Sequence, residues 1–363
     1  MAPVVEAFRG RPDEAEARVV LTGQHSDLVD QVLDSFGMVP RHDLGIMREG
    51  QSHYDVAHGC LDGLRRVVAE EEPDAILVQG DTASVCFGAL VGFFEKVAVG
   101  HVEAGLRSGD KWAPWPEEIF RRVTDVLSDW YFAPTTRAAA NLRAEGVGAG
   151  SVHVSGNTVV DALLRVAGGA GPVQDPELRA ALDGGRRLVL LTAHRRESFG
   201  EPLRDVLRGV REVADAHDDV EVVYPVHPNP NVRAAAAEIL EGHPRIRLTS
   251  PVGYLDLVTA LSRAALVLTD SGGIQEEAPT FGVPVLVLRD VTERPEGVEA
   301  GVAELVGTDR RRLVERASAI LGGQGAARSA SNPYGDGRAG ERIADIVIAD
   351  LTGAARRTKD WDG

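Results

Sequence analysis

The sequence A-L-V-L-T-D-S-G-G-I-Q-E-E, residues 265–277, carries the clearest local pattern in the chain. Its apolar start, Ala265–Leu268, predicts a buried strand, and the two glycines that follow let a turn approach a ligand closely. The next residues predict a helix, whose free N–H groups and positive dipole end suit a diphosphate. Glu276 or Glu277 would then accept hydrogen bonds from ribose hydroxyls. An ordinary turn whose acids complement the helix dipole explains the pattern equally well.

The same alternation of strand and helix extends in both directions from this turn. Short apolar strands that alternate with helices are typical of parallel sheets covered on both faces. The glycine-rich segment Val166–Arg186 separates the strands into two sets and predicts a linker between two doubly wound domains, with a cleft between them as the ligand site. The predicted strands are Arg18–Thr22, Ala75–Val78, Val97–Val102, Trp130–Ala133, Val152–Ser155, Arg187–Thr192, Val220–Tyr224, Ile246–Leu248, Ala265–Leu268 and Pro284–Leu288.

Composition excludes several classes of function. The 363 residues carry a formal net charge of −16, which repels nucleic acid and anionic lipid. No apolar stretch is long enough to span a bilayer and no signal peptide is visible, so a cytoplasmic protein is expected. Cys60 and Cys86, the two cysteines, match no metal-ligand spacing, and no metal is expected. Neither the phosphate-loop motif nor the dinucleotide fingerprint follows an early strand, so no ATP or NAD cofactor is predicted.

Polar residues follow many of the predicted strands at their carboxyl ends, where ligands bind in open α/β sheets. Three carboxylates, Asp81, Glu103 and Glu117 (or its neighbour Glu118), fall in the first half of the chain, and His194 with two arginines falls in the second. Several carboxylates suit proton transfer at a weakly acidic sugar carbon, whereas arginines suit a diphosphate. A helix cap is an equal explanation for Asp81 alone or Asn157 alone. His101 and His227 fit a core or loop histidine as well as a ligand contact.

Nine motifs in order give the chain a specific resemblance. They are residues 79–82 (Q-G-D-T), 100–107 (G-H-V-E-A-G-L-R), 114–118 (P-W-P-E-E), 156–162 (G-N-T-V-V-D-A), 194–200 (H-R-R-E-S-F-G), 225–230 (P-V-H-P-N-P), 269–279 (T-D-S-G-G-I-Q-E-E-A-P), 292–296 (T-E-R-P-E) and 332–337 (N-P-Y-G-D-G). The chain resembles the non-hydrolysing UDP-N-acetylglucosamine 2-epimerase family from Met1 to about Ile348.

The resemblance implies a GT-B fold of two Rossmann-like domains with a deep cleft, here residues 1–166 and 167–337. A C-terminal helix, 338–356, would cross back to complete the first domain. The family interconverts UDP-GlcNAc and UDP-ManNAc without NAD or metal. UDP is eliminated to give 2-acetamidoglucal and then adds back, with C2 protonated from the other face. A homodimer is also implied.

The resemblance also implies roles for individual residues. Asp81, Glu103, Glu117 and His194 match the catalytic residues of the family. Ser271, Gly272 and Gly273 match its pyrophosphate loop, Glu276 matches the ribose ligand, and Arg195 is expected to bind UDP. A second, allosteric UDP-GlcNAc is bound in bacterial members by residues that match Gln24, Arg195 and His227.

The start of the chain departs from the family pattern. The family begins with a strand and a G-T-R-P-E-A turn just before the M-A-P at which this sequence starts, and Arg9–Pro12 does not replace that turn because it follows the first helix. Without a central parallel strand, two sheet edges would be unpaired. We therefore expect Met1 to be an internal methionine of a longer chain; a native mass that matches residues 1–363 would contradict this.

Three other functions fit parts of the pattern. An inverting UDP-sugar glycosyltransferase of the same fold would share the nucleotide turn but needs an acceptor groove and a single base. A hydrolysing relative would release free ManNAc and UDP. A non-catalytic nucleotide-sugar binder would bind UDP-GlcNAc without exchanging the C2 hydrogen.

Overall fold

A computed structural model of the chain describes residues 1–23, 26–48, 50–169, 171–195, 198–324 and 332–363. These residues form two compact units: unit 1 comprises Met1–Ala162 and Tyr334–Gly363, and unit 2 comprises Leu163–Pro333. Each unit contains a parallel sheet with helices between successive strands, so the predicted α/β class is confirmed. In the part of the chain that the structure describes, no helix is both long and apolar enough to cross a membrane.

Unit 1 contains the first six strands of the chain. The strands are β1 Val20–Leu21, β2 His42–Asp43, β3 Ala75–Gln79, β4 Ala98–Val102, β5 Trp130–Ala133 and β6 Val152–Val154. The helices are α1 Ala2–Arg9, α2 Ser26–Ser35, α3 His53–Glu71, α4 Ala83–Glu95, α5 Glu117–Leu127, α6 Thr136–Ala144, α7 Thr158–Gly169, whose last residues belong to unit 2, and the final helix of the chain, α15 Ala339–Thr352.

The strands of unit 1 form two separate sheets. Strands β3 to β6 pair in that order, whereas β1 and β2 pair only with each other among the described residues. One cavity of about 960 Å³ is lined both by Val20 and Leu21 of β1 and by Ala75–Val78 of β3. Among the described residues, β1 and β3 are therefore both edge strands, and neither has a sheet partner on the side that faces the cavity. Apolar side chains, among them Val4 and Leu64, also line the cavity.

Helix α15 closes the core of unit 1. Asp161 accepts hydrogen bonds from the backbone N–H groups of Ala339 (3.2 Å) and Gly340 (2.8 Å) at the first turn of α15. A Cβ on Gly340 would lie 2.6 Å from the carbonyl oxygen of Pro3, so glycine is what allows α1 to approach α15 so closely. Ile343 and Val347 then pack with the buried side chains of α1 and β4.

Unit 2 contains a single six-stranded parallel sheet with the order β12-β11-β10-β7-β8-β9. The strands are β7 Arg187–Thr192, β8 Val220–Pro225, β9 Ile246–Thr249, β10 Ala264–Thr269, β11 Val285–Val287 and β12 Ala303–Leu305. The helices are α8 Pro176–Asp183, α9 Glu201–Ala216, α10 Pro230–Leu240, α11 Tyr254–Arg263, α12 Gly272–Glu277, α13 Pro295–Glu299 and α14 Arg310–Ala319.

Alternate side chains of each central strand belong to different apolar clusters. In β7, Val189 and Leu191 lie in one cluster, and Leu188 and Leu190 lie in the other. Both faces of this sheet are thus buried, which explains why its strands are continuous apolar runs.

The segment 166–186, which the glycines mark as a linker, contains a helix. Asp175 accepts a hydrogen bond from the N–H of Leu178 (2.8 Å) and caps the start of α8, and Pro176 fits the first helical position. Leu178 and Leu182 are buried in the core of unit 2. The cap and the buried leucines therefore stabilise a helix in the middle of the segment, although glycines occur at both of its ends.

Candidate active site

The turn between β10 and α12 lies at the carboxyl edge of the unit 2 sheet. Thr269 ends the strand, and its Oγ1 accepts a hydrogen bond from the N–H of Ser271 (2.9 Å). Gly272 is buried, and a Cβ there would lie 2.9 Å from Oε1 of Glu293, whereas Gly273 is exposed. The predicted glycine-rich turn is therefore present, and the Glu293 carboxylate closely approaches its first glycine.

Asp270 joins this turn to the end of the neighbouring strand β7. Its side chain is 2% exposed, and Oδ2 accepts hydrogen bonds from the backbone N–H groups of His194 (2.7 Å) and Arg195 (2.8 Å). Oδ1 lies 3.3 Å from Nδ1 of His194. Asp270 thus holds the backbone of His194 and places a buried carboxylate oxygen beside its ring. Asp270 had no predicted role, although it stands in the clearest motif of the chain.

His194 and His227 lie side by side at this edge of unit 2. Their rings are stacked with centroids 5.4 Å apart and planes 10° from parallel. The N–H of Asn229 donates to Nδ1 of His227 (3.1 Å), so this nitrogen acts as an acceptor. The side chain of His194 is 39% exposed. Both side chains are therefore at least partly accessible to a ligand.

Arg195 and Glu293 complete the charged groups beside Gly272. Nε of Arg195 donates to the carbonyl oxygen of Asp270 (3.3 Å), and its terminal nitrogen lies 3.4 Å from Oε1 of Glu293. Burial would raise the pKa of Glu293, but a backbone hydrogen bond and Arg289, which donates at 2.7 Å, hold it below its ordinary value. Glu293 and Arg289 are contacts that sequence reasoning did not assign.

Glu276 and Glu277, adjacent on α12, have different surroundings. Glu276 is buried and forms an ion pair with Arg294. Burial, together with the charge of Glu276, raises the pKa of Glu277 to about 7. Burial and Glu277 in turn raise the pKa of Tyr254 to about 12. Glu276, which is ion-paired with Arg294, is thus the glutamate of the two that is predicted to bind ribose.

Glu277→Gln is expected to increase the free energy of unfolding at pH 8 by up to a few kcal/mol, and by much less at pH 5. The folded state keeps the Glu277 proton up to about pH 7, whereas an unperturbed glutamate loses it near pH 4.5, so stability falls as the pH rises through this window. Urea unfolding at both pH values measures the difference. Glu276→Gln is the matched control and should destabilise at both, because it removes the partner of Arg294. An equal effect of Glu277→Gln at both pH values would contradict the assignment.

Asp81 and Glu103 occupy adjacent turns in unit 1. Strands β3 and β4 pair in register, with Gln79 opposite Val102, so both turns leave the same edge of the sheet. A Cβ on Gly80 would lie 3.4 Å from Oε2 of Glu103. Glu103 itself has a φ of +66°, a strained backbone conformation for a residue with a side chain.

Arg121 on α5 connects Asp81 to the start of its own helix. Nε of Arg121 donates to Oδ2 of Asp81 (3.1 Å), and another of its nitrogens donates to Glu118 (3.1 Å). Glu118 is 1% exposed and also accepts hydrogen bonds from the N–H groups of Ser108 (3.0 Å) and Gly109 (3.4 Å). By contrast, the side chain of Glu117 accepts no hydrogen bond from any described residue. Glu118 is therefore a structural anchor, and Glu117 makes none of these contacts.

Of three other predicted positions, one has a structural contact and two lie outside the described residues. Asn157 is buried and accepts a hydrogen bond from the N–H of Val159 (3.0 Å), as a helix cap does. Gln24 lies outside the described residues, and so does Arg196.

One group of described residues has metal-ligand donors in mutual reach. Donor atoms of His42, Glu70 and Glu71 lie within 4.8 Å of one another. Glu71, however, is already ion-paired with Arg18 and with Arg41 (3.2 Å), and these guanidinium groups oppose a second cation.

Comparison with known proteins identifies the family. A family model described as UDP-N-acetylglucosamine 2-epimerase matches residues 7–348. The UDP-N-acetylglucosamine 2-epimerase of Escherichia coli K12 is 44% identical over 357 residues, which cover 96% of this chain and 94% of that protein.

Two solved structures resemble the chain over nearly its whole length. The S. aureus MnaA–UDP co-structure is 39% identical with a TM-score of 0.87, covering 99% of this chain and 95% of the other. The Neisseria meningitidis UDP-GlcNAc 2-epimerase bound to UDP-GlcNAc is 36% identical with a TM-score of 0.83, covering 97% and 96%. These similarities confirm the two-domain GT-B fold. With 96% of its length aligned at 44% identity to a 2-epimerase, the chain belongs to the UDP-N-acetylglucosamine 2-epimerase family of isomerases.

Proposed function

We propose that this chain interconverts UDP-GlcNAc and UDP-ManNAc in the non-hydrolysing manner. A base removes the C2 proton, UDP leaves from C1 to give 2-acetamidoglucal, and C2 is protonated from the opposite face as UDP adds back. The observation that carries this proposal is the pair of carboxylates at one sheet edge, Asp81 and Glu103, with Glu117 free of hydrogen bonds from the described residues. Proton transfer at both faces of one carbon requires more than one acid–base group.

In this proposal unit 2 binds the nucleotide. The turn of Ser271, Gly272 and Gly273 takes the diphosphate, with Arg195 as its cationic partner. Glu276 accepts hydrogen bonds from the ribose hydroxyls. His194, whose ring lies beside the Asp270 carboxylate and whose side chain is 39% exposed, serves as the catalytic histidine.

The proposed reaction also determines which cofactors and partners the chain needs. Elimination and re-addition move protons and UDP but no electrons, so we propose that neither a redox cofactor nor a metal takes part. We propose further that the enzyme acts in the cytoplasm as a homodimer. A second, activating UDP-GlcNAc would be bound by Gln24, Arg195 and His227; the stacking of His227 on His194 supports a position next to the catalytic histidine.

Incubation of the purified protein with UDP-GlcNAc in deuterium oxide tests this function by NMR. The expected product is UDP-ManNAc with deuterium at C2, together with deuterium at C2 of the recovered UDP-GlcNAc. Free ManNAc with UDP would instead identify a hydrolysing enzyme. Transfer of the sugar to an added acceptor would identify a glycosyltransferase, and binding of UDP-GlcNAc without C2 exchange would identify a non-catalytic binder.

A further inference from the structure

His101 makes two short contacts in the interior of unit 1. The residue lies on β4 and is 0% exposed. Its Nδ1 is 2.6 Å from Oδ1 of Asp125 on α5, and its Nε2 is 2.8 Å from the carbonyl oxygen of Gly80. Both ring nitrogens therefore face oxygen atoms of the protein.

The chemistry of these partners determines which nitrogens carry protons. A carbonyl oxygen can only accept, so Nε2 must be the donor to Gly80. An ionised carboxylate also only accepts, so Nδ1 must donate to Asp125. A neutral imidazole has one N–H and cannot make both bonds, whereas an imidazolium makes both.

The surroundings of Asp125 keep it ionised. Its Oδ2 accepts hydrogen bonds from Arg107 (2.6 Å) and from the N–H of Gly105 (3.3 Å).

Two further titratable groups lie in this network. Arg107 also pairs with Glu145 (2.7 Å), and burial followed by the charge of Asp125 raises the pKa of Tyr131. Arg107 thus links the carboxylate that His101 contacts, Asp125, to a second carboxylate, Glu145.

The backbone that His101 holds leads directly to Asp81. Gly80 has a φ of +85° and donates its N–H to the carbonyl oxygen of Val102 (3.1 Å), so His101 fixes the opposite end of the same residue. Glu103, two residues after His101, reaches the same glycine. The buried ring of His101 is therefore bonded to Gly80, the residue that precedes Asp81 and that the side chain of Glu103 approaches.

We propose that His101 is a doubly protonated positioning residue, which holds the Gly80–Asp81 turn and the adjacent Glu103 through simultaneous donation to Gly80 and Asp125. The inference rests on the proposed function only in so far as Asp81 and Glu103 act on the substrate. The protonation of the ring stands on hydrogen-bond geometry alone.

NMR of protein with ¹⁵N-labelled histidine tests the protonation independently of activity. The His101 signal, identified by its absence from the His101→Gln variant, is expected to show a proton on both ring nitrogens, as its two acceptors require. A ring with a single proton in the unaltered protein would overturn the proposal.

Kinetics test the positioning role. Glutamine cannot donate in both directions from this site, so His101→Gln is expected to lower kcat about 100-fold, the cost of a misplacement of about 1 Å. KM for UDP-GlcNAc and Kd for UDP should stay within about threefold, because the nucleotide is assigned to unit 2. Asp125→Asn should give a smaller loss of kcat and a His101 ring with a single proton.

His153→Gln is the matched control. This histidine also lies on a strand of unit 1, β6, but its Nδ1 faces Asp360 at 3.8 Å, away from the Gly80 turn. Its kcat should be unchanged. If His101→Gln keeps full kcat while the unaltered protein exchanges deuterium at C2, the positioning role is wrong and the proposed function stands. If the unaltered protein shows no exchange, it is the proposed function that fails, and the NMR result still decides the protonation.

Discussion

Glu117→Gln is expected to lower kcat for C2 epimerisation by about 10²–10⁴-fold without changing the thermal midpoint, because general acid–base groups contribute rate factors of this size. The side chain of Glu117 accepts no hydrogen bond from the described residues, so the amide should be accommodated without loss of a contact. NMR of the UDP-GlcNAc to UDP-ManNAc conversion gives kcat, and calorimetry gives the midpoint.

Glu118→Gln is the matched control for this prediction. Glu118 is buried and accepts from two backbone N–H groups and from Arg121. An amide presents an NH₂ group to one of these donors, which should cost about 1–3 kcal/mol of unfolding free energy. Glu117→Gln is thus expected to lose activity at unchanged stability, whereas Glu118→Gln is expected to lose stability. Full activity of Glu117→Gln would remove Glu117 from the mechanism.

An extended apolar segment added ahead of Met1 is expected to raise the thermal midpoint of unit 1 markedly. Strands β1 and β3 both line the cavity of about 960 Å³, and a parallel strand between them would pair with both edges. The amino group of Met1 lies against Gln79, the last residue of β3, so a strand parallel to β3 would end where α1 begins. Each kcal/mol gained corresponds to about 2–4 °C for a unit of this size.

The comparison requires two extensions of equal length. A six-residue segment of alternating valine and isoleucine should insert, because β-branched side chains suit a strand buried on both faces. A glycine–serine segment of six residues should leave the midpoint unchanged, since it has no apolar side chains to bury. Calorimetry and proteolysis report the outcome. Equal midpoints for both extensions would show that the cavity does not accept a strand.

The sequence predicted the residues that follow each strand better than it predicted the contacts they make. The strand-end rule brings Asp81 and Glu103 to one edge because parallel strands place their carboxyl ends together. The rule cannot predict which of Glu117 and Glu118 has a structural role, because adjacent helix positions differ only in the direction of the side chain. Glu118 is the one that accepts hydrogen bonds from the loop at Ser108. Asp270 was not predicted as an anchor because its contacts are distant in the sequence: they are backbone N–H groups 75 and 76 residues away.

Short strands and the predicted linker show a second limit. His42–Asp43 and Ala303–Leu305 were not predicted as strands, because two or three residues that include charged groups give no apolar run. They form because a neighbouring strand supplies backbone partners, Val20–Leu21 in the first case. In the segment 166–186 the glycines were read as a break, yet the cap at Asp175 gave a helix.

The position of α15 in unit 1 has a consequence for the order of events during synthesis. Residues 1–162 leave the ribosome without Ile343 and Val347, which fill their core, and the 171 residues of unit 2 are made in between. At about 5–20 residues per second, the first segment waits roughly 10–35 s for its last helix. The continuous unit 2 can fold as soon as its own chain emerges. The second half of the molecule is therefore expected to reach its native packing before the first.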